Sequence, residues 1–194
     1  MTTNLIKIDD FKVYKGINSE NEDPTISLLI GSVSEFVVNY IGRSLIGYSL
    51  KDKVEYFNGT NYHSYYPDEW PLISVTSLET SLDGGITYTA LTENTDFFVD
   101  LENDTIQSNT AGLDKFVVSS IAHRSCKLTY KGGYETTPSD IQLAIMDIVE
   151  HYRKKEYIPT SSLQGTSVEN PVVFLQGNVL PPHIKRVLDN YRNI

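Results

Sequence analysis

Nucleophilic catalysis needs a serine or cysteine activated by a histidine with an acid behind it. The chain offers four histidines, His63, His123, His151 and His183, and one cysteine, Cys126. They are widely spread and stand in unlike contexts, and no Gly-x-Ser-x-Gly elbow accompanies them. Cys126 falls in a stretch with strand character, where a thiol acts as a small core hydrophobe. Metal binding needs closely spaced ligands, and neither H-x-x-x-H nor C-x-x-C occurs. Asp100-Leu101-Glu102-Asn103-Asp104-Thr105 faintly resembles a calcium loop. It lacks the glycine at the sixth position and the closing glutamate, so it reads as a hairpin turn. Gly84-Gly85 and Gly132-Gly133 are isolated pairs rather than phosphate loops. Two carboxylates could serve a glycosidase, but no pair stands out. The expectation is a chain with no catalytic residue, no cofactor and no metal, and not an enzyme.

Binding chemistry is better represented. Residues 55–78, EYFNGTNYHSYYPDEWPLISVTSL, hold Tyr62, Tyr65, Tyr66 and Trp70. Such rings can cover a sheet face, form a protein hot spot, or make a sugar platform. The basic runs HYRKK (Arg153, Lys154, Lys155) and HIKR can touch nucleic acid, or can cap helices and form rim ion pairs. Ile184, Val187, Leu188 and Tyr191 add an apolar stripe near the C-terminus. Together these eleven residues form the candidate interaction surface.

The charge is unevenly placed. Net charge is −9, yet between Lys53 and Lys115 there is no lysine or arginine and there are eleven acids. The rest of the chain sums to +2. A base-free segment repels phosphate, which argues against sequence-reading DNA contact. It suits a basic partner, or DNA that must slide past without sticking. It also suits a plain solvated acidic surface. One cysteine excludes an intrachain disulfide and a cysteine-rich metal site. The N-terminal MTTNLIKIDDFK has no apolar h-region, and apolar runs such as SLLIG fall far short of the ~20 residues that cross a bilayer.

These residues need elements to hold them. At 194 residues the chain makes one large domain or two small ones. The ends read as helical and the middle as β. Asp9 or Asp10 caps a short helix with Phe11, Val13 and Tyr14, stopped at Gly16. Asp23-Pro24 opens a long helix striped by Ile26, Leu29, Ile30, Val33, Phe36, Val37, Tyr40 and Ile41. Val54–Phe57 and Tyr62–Tyr66 flank Asn58-Gly59 as a hairpin. Further strands are expected at 72–78, 87–91, 97–99, 105–106, 116–119 and 127–130, with turns at near-ten-residue spacing. Thr137-Pro138-Ser139-Asp140 is a capping box for a helix striped by Ile141, Ala144, Ile145, Ile148, Val149 and Tyr152. A polar loop, a short strand at 172–175 and a last helix after Pro181-Pro182 follow. The fold class expected is α+β: a helical bundle from the N- and C-terminal segments with an inserted antiparallel β domain, a small sheet or barrel. Its parts are 1–52 helical, 53–131 the acidic insertion, 132–157 the long helix and 158–194 a C-terminal arm.

Three passages carry a family resemblance: DDFKVYKGINSENEDPTISLLIGSVSEFVVNYIGRSL at 9–45, residues 55–78, and KLTYKGGYETTPSDIQLAIMDIVEHYRKKEY at 127–157. In this order they resemble the phage head–tail connector, or head-completion adaptor, family. The resemblance covers about half the chain through apolar and turn patterns. The β region is larger than in smaller, mostly helical members, and 158–194 lies outside the matching passages. The resemblance implies a homo-oligomeric ring of roughly twelve subunits joined head to tail. That ring would sit below the portal protein, extend the DNA channel without sequence-specific binding, and meet a tail or stopper protein in the virion neck. Alternatives are a tail-terminator or tail-completion protein, a carbohydrate-binding protein and an acidic DNA mimic.

Overall fold

A computed structural model describes residues 4–59, 63–109, 123–154 and 180–192. The chain divides into two compact units, Met1–Arg43 with Thr137–Ile194, and Ser44–Thr136. Both boundaries differ from the predicted 52/53 and 131/132. The first β-strand already begins at Tyr48, and the turn after the last strand stays bonded to that unit through Tyr134 N and Leu45 O at 2.8 Å.

The first unit is helical. It contains α1 (Ile8–Lys15), α2 (Asp23–Ile41), α3 (Ser139–Arg153) and α4 (Pro182–Asp189). The 3.6-residue period of α2 buries Ile26, Ile30, Val33, Val37 and Ile41 on one face. That face packs on α3, which buries Ile141, Ala144, Ile145, Ile148 and Val149. α1 rests on α2, and α4 on both α2 and α3. Two of the expected stripe residues, Phe36 and Tyr152, are 44% and 40% exposed. They sit at the edge of the apolar arc and turn outward. α2 spans 19 residues, and an 18-residue window of it has mean hydropathy 1.3, long and apolar enough to cross a bilayer; a helix that buries one face in a core meets the same measure. Its polar positions interrupt the apolar runs, so the runs understate the helix.

The expected caps are replaced by other devices. Lys7, Glu22 and Pro138 occupy the N-cap positions and make no side-chain cap bond. Asp9, Asp10, Asp23 and Asp140 lie instead in first turns, where negative charge meets the positive helix end. Polar links close the bundle. Ser34 Oγ accepts from Leu5 N at 3.1 Å inside the unit. Lys12 pairs with Asp23 at 2.8 Å, Arg153 with Glu22 at 2.8 Å and Tyr40 with Asp189 at 2.7 Å.

The second unit is β throughout. Its strands are β1 (Tyr48–Phe57), β2 (Ser64–Tyr65), β3 (Leu72–Thr80), β4 (Thr89–Ala90), β5 (Phe97–Asp100), β6 (Thr105–Ser108) and β7 (Cys126–Gly132). One antiparallel sheet runs β1-β7-β3-β4 and the other β2-β6-β5. Among the described residues both sheets are open, not a barrel. β7 alternates strictly, burying Cys126, Leu128, Tyr130 and Gly132. Leu72, Leu78, Phe97 and Ile106 complete the core, with Phe57, Tyr65, Val75, Leu91 and Val99 packed against it.

The hairpin expected around Asn58-Gly59 does not form. β1 pairs with β7, and β2 with β6. Asn58 Oδ1 accepts from Arg124 N at 2.8 Å, and Gly59 N donates to Ser125 Oγ at 2.7 Å. The turn residues are thereby tied to the loop before β7, and the chain passes from one sheet to the other. Gly132-Gly133 also has a structural role. A Cβ on Gly132 would stand 2.2 Å from Glu69 O, and one on Gly133 (φ 92°) 2.3 Å from Leu45 O. The strands predicted at 116–119 and 172–175 lie outside the described residues.

Val33 is 3% exposed. Val33→Asp should destabilise the helical unit by about 3–5 kcal/mol in denaturant titration, because it buries an unpaired charge. Phe36→Asp should change stability by no more than about 1 kcal/mol. Gly132→Ala should cost about 2 kcal/mol or more, because backbone rather than a flexible side chain must yield.

Candidate interaction surface

The reactive side chains do not converge. His63, His123 and His183 are exposed, while His151 is buried in α3. Cys126 is fully buried, and desolvation pushes its thiol up to about 11, so it stays protonated and unreactive at neutral pH. Among the described residues no three His, Cys, Asp or Glu side chains are placed to hold a metal ion.

Several acids of the base-free segment act as acceptors for turns. Asp83 accepts from Thr87 Oγ1 at 2.6 Å and from the amides of Ile86 and Thr87 at 3.0 and 2.9 Å. The Thr87 side-chain bond leads in holding the carboxyl far below its ordinary range. Asp96 Oδ2 accepts from Thr92 N at 2.7 Å. Asp100 accepts from the amides of Glu102 and Asn103, both at 3.1 Å, and from Asn103 Nδ2 at 2.8 Å. Bonds from the Asn103 side chain, then its backbone, lower its pKa. Asp104 accepts from Leu72 N at 2.6 Å. The Asp100–Thr105 stretch is thus the hairpin turn expected, the tip between β5 and β6, with Asp100 bonded within it.

The most developed polar constellation lies inside the β unit. Glu55 on β1 is 7% exposed. Its Oε1 accepts from the Tyr65 hydroxyl, and its Oε2 accepts from the Tyr130 hydroxyl at 2.7 Å. Tyr130 Oη in turn accepts from Glu69 N at 3.0 Å. Lys53 Nζ lies 3.3 Å from Glu55, 3.3 Å from Asp68 and 3.8 Å from Glu69. Glu69 Oε1 accepts from Ser44 N at 3.0 Å. Burial works against the charge on Lys53, but Glu55, Asp68 and Glu69 outweigh it and raise its pKa. Desolvation, then the Glu55 carboxylate, drives both tyrosines far above the ordinary phenol range. This network fastens two sheets together. Sequence reasoning passed over Glu55 and Lys53, although an acid facing inward in an alternating strand was the available signal.

The structure scatters the candidate contact residues. Tyr65 stacks on Phe57 at 3.6 Å between centroids and serves the core. Tyr66 is 68% exposed, and Trp70 is half-buried before Pro71. Arg153 is held by Glu150 at 2.7 Å and by Glu22, and Lys154 lies 3.1 Å from Glu150. Ile184 and Leu188 are buried within the helical unit, with Val187 half-buried, so that stripe completes the bundle and is not a free surface. Tyr191 donates to Asp140 at 3.0 Å, and its carbonyl accepts from Arg43 Nε at 3.2 Å. Tyr62 and Lys155 lie outside the described residues.

Stability should fall as pH rises. Lys53, Tyr65 and Tyr130 all hold protons more tightly when folded, so their contribution is complete below the unfolded values near 10 and is lost above them. Melting temperature should therefore drop on raising pH from about 9 to 11, and Tyr65→Phe should flatten that slope. Lys53→Met should cost about 3 kcal/mol at pH 7, since it leaves buried carboxylates uncompensated.

Solved structures with the same fold come from gene transfer agent particles. One is described as the neck of an empty gene transfer agent (GTA) particle computed with C6 symmetry; it matches with TM-score 0.59 and 10% identity, covering 100% of this chain and 94% of that one. A second, the neck of a native GTA particle computed with C12 symmetry, gives 0.54 and 11%, covering 100% and 96%. A third, the virion of a native GTA particle, gives 0.56 and 10%, covering 98% and 90%. No curated protein sequence matches. The family model described as "Head completion protein" matches residues 4–194, and the chain therefore belongs to the head completion protein family.

Proposed function

We propose that this protein is a structural part of a virion-like particle, a head-to-tail adaptor. It forms a ring below the portal, extends the DNA channel and joins the capsid to the tail. The observation that carries this reading is the family match across residues 4–194. Its fold is that of chains in neck assemblies solved with six- and twelve-fold symmetry, which supports a closed ring, and the twelve-fold one agrees with a dodecamer. A ring of identical subunits needs two different complementary patches on each copy. The base-free span between Lys53 and Lys115 supports a wall that lets DNA pass without gripping it. Portal on one side and a tail or stopper protein on the other are the partners this role requires, and the role needs no catalysis.

Electron microscopy of particles carrying a labelled copy should place a ring of the label at the head–tail junction. In pull-down, the protein should retain portal protein. Retention of tail-tube protein alone would assign it to tail completion instead, and a strict monomer in the presence of portal would overturn the adaptor role.

A further inference from the structure

The β unit sorts its charges and its exposed apolar residues to different places. Its described lysines and arginines are Lys51, Lys53, Arg124, Lys127 and Lys131, all on β1, β7 or the turn before β7. Residues 63–109, which include the whole β2-β6-β5 sheet, carry none. β1 is an edge strand of ten residues, and among the described residues its outer edge is unpaired. It exposes Leu50, Val54 and Tyr56, at 83%, 48% and 41%, with Lys51 and Asp52 also exposed after Leu50, where the pairing with β7 is irregular. Exposed apolar side chains of this size beside an open strand edge are a surface that proteins ordinarily cover.

At the Tyr56 end of that strand the side chains are pre-set. Arg124 lies over the Tyr56 ring at 4.1 Å, and Tyr56 lies 6.2 Å from Tyr88. The backbone of Arg124 (φ 48°) is fixed on both sides, its N–H on Asn58 and its carbonyl on Tyr88 Oη at 3.0 Å. Lys53 and Lys127 already face carboxylates, the latter Glu79 at 3.1 Å, whereas Arg124 has no carboxylate partner among the described residues. An arginine held on an aromatic face beside exposed apolar side chains fits one carboxylate flanked by an aliphatic side chain. It fits a phosphodiester backbone less well, because Lys53 and Lys127 are already paired with carboxylates and only Lys51 of β1 is left as a second exposed cation.

The same chain presents such a feature. The β5–β6 tip exposes Leu101, at 52%, and Glu102, and Asp100 holds its backbone rigid. Building on the ring assembly proposed above, we infer that the exposed apolar residues of β1 with Arg124 receive the Leu101–Glu102 tip of a second copy. The two patches differ, as a head-to-tail ring contact requires.

The test titrates assembly of the full chain by mass photometry, with portal present if the ring needs it. Arg124→Glu, Glu102→Arg and Leu50→Asp should each raise the half-assembly concentration about tenfold or more, with melting curves matching wild type. Arg124→Glu combined with Glu102→Arg should assemble again near the wild-type concentration. If wild type forms rings and all three single variants do so equally well, this contact is overturned while the adaptor role stands. If Arg124→Glu weakens duplex-DNA binding and leaves rings intact, the surface faces DNA and the inference fails. If wild type never forms rings, both readings fall together.

Discussion

A carboxylate inside a β core must be ringed by donors, and Glu55 imposes that demand on the whole unit around it. Its partners come from separate places: Tyr65 on β2, Tyr130 on β7 and Lys53 on β1 itself. An unmatched buried charge costs several kcal/mol, so these elements form together or fail together. The network also specifies register. Slipping β1 by one residue against β7 would turn Glu55 out to water and Val54 or Tyr56 inward. Because Tyr65 belongs to the β2-β6-β5 sheet, the Glu55 bond and the Phe57 stack also dictate where that sheet lies on the other.

The acidity of the middle segment has a similar origin. Turns expose backbone amides, and short carboxylates satisfy them without a helix or ladder. Asp83, Asp96 and Asp100 do this in three places, and Asp104 holds the first amide of β3. Part of what reads as a repulsive surface is therefore scaffolding that stiffens loops. What remains for partners is smaller and directional: exposed acids such as Glu102 on one sheet, and cations on β1 and β7 of the other.

The helical unit illustrates an ambiguity that periodicity cannot resolve. An amphipathic eight-residue helix looks the same whether its apolar face seeks a stranger or its own chain. α4 places Ile184 and Leu188 inside the bundle, and Tyr40–Asp189 and Tyr191–Asp140 lock it there. Arg153 and Lys154, which resemble a nucleic-acid patch in sequence, pair with Glu150 and hold its carboxyl down at about 2, with the Arg153 bond leading. These cations are neutralised locally rather than left free for a partner.

By itself the sequence determined the helix–β–helix order, the two apolar helix stripes and most strand positions. Those depend on neighbours within about ten residues, and side-chain period reports them directly. It also carried the family resemblance, which lies in those same local patterns. It did not determine that Asn58-Gly59 would join two sheets in place of closing a hairpin, because the competing bonds come from Arg124 and Ser125, 66 residues away. Nor did it separate Phe36 and Tyr152 from the buried stripes, or mark Glu55 and Lys53 as the centre of a buried network. Burial, ion pairing and ring stacking between distant strands are properties of the folded chain, and only the tertiary structure brings the partners within reach.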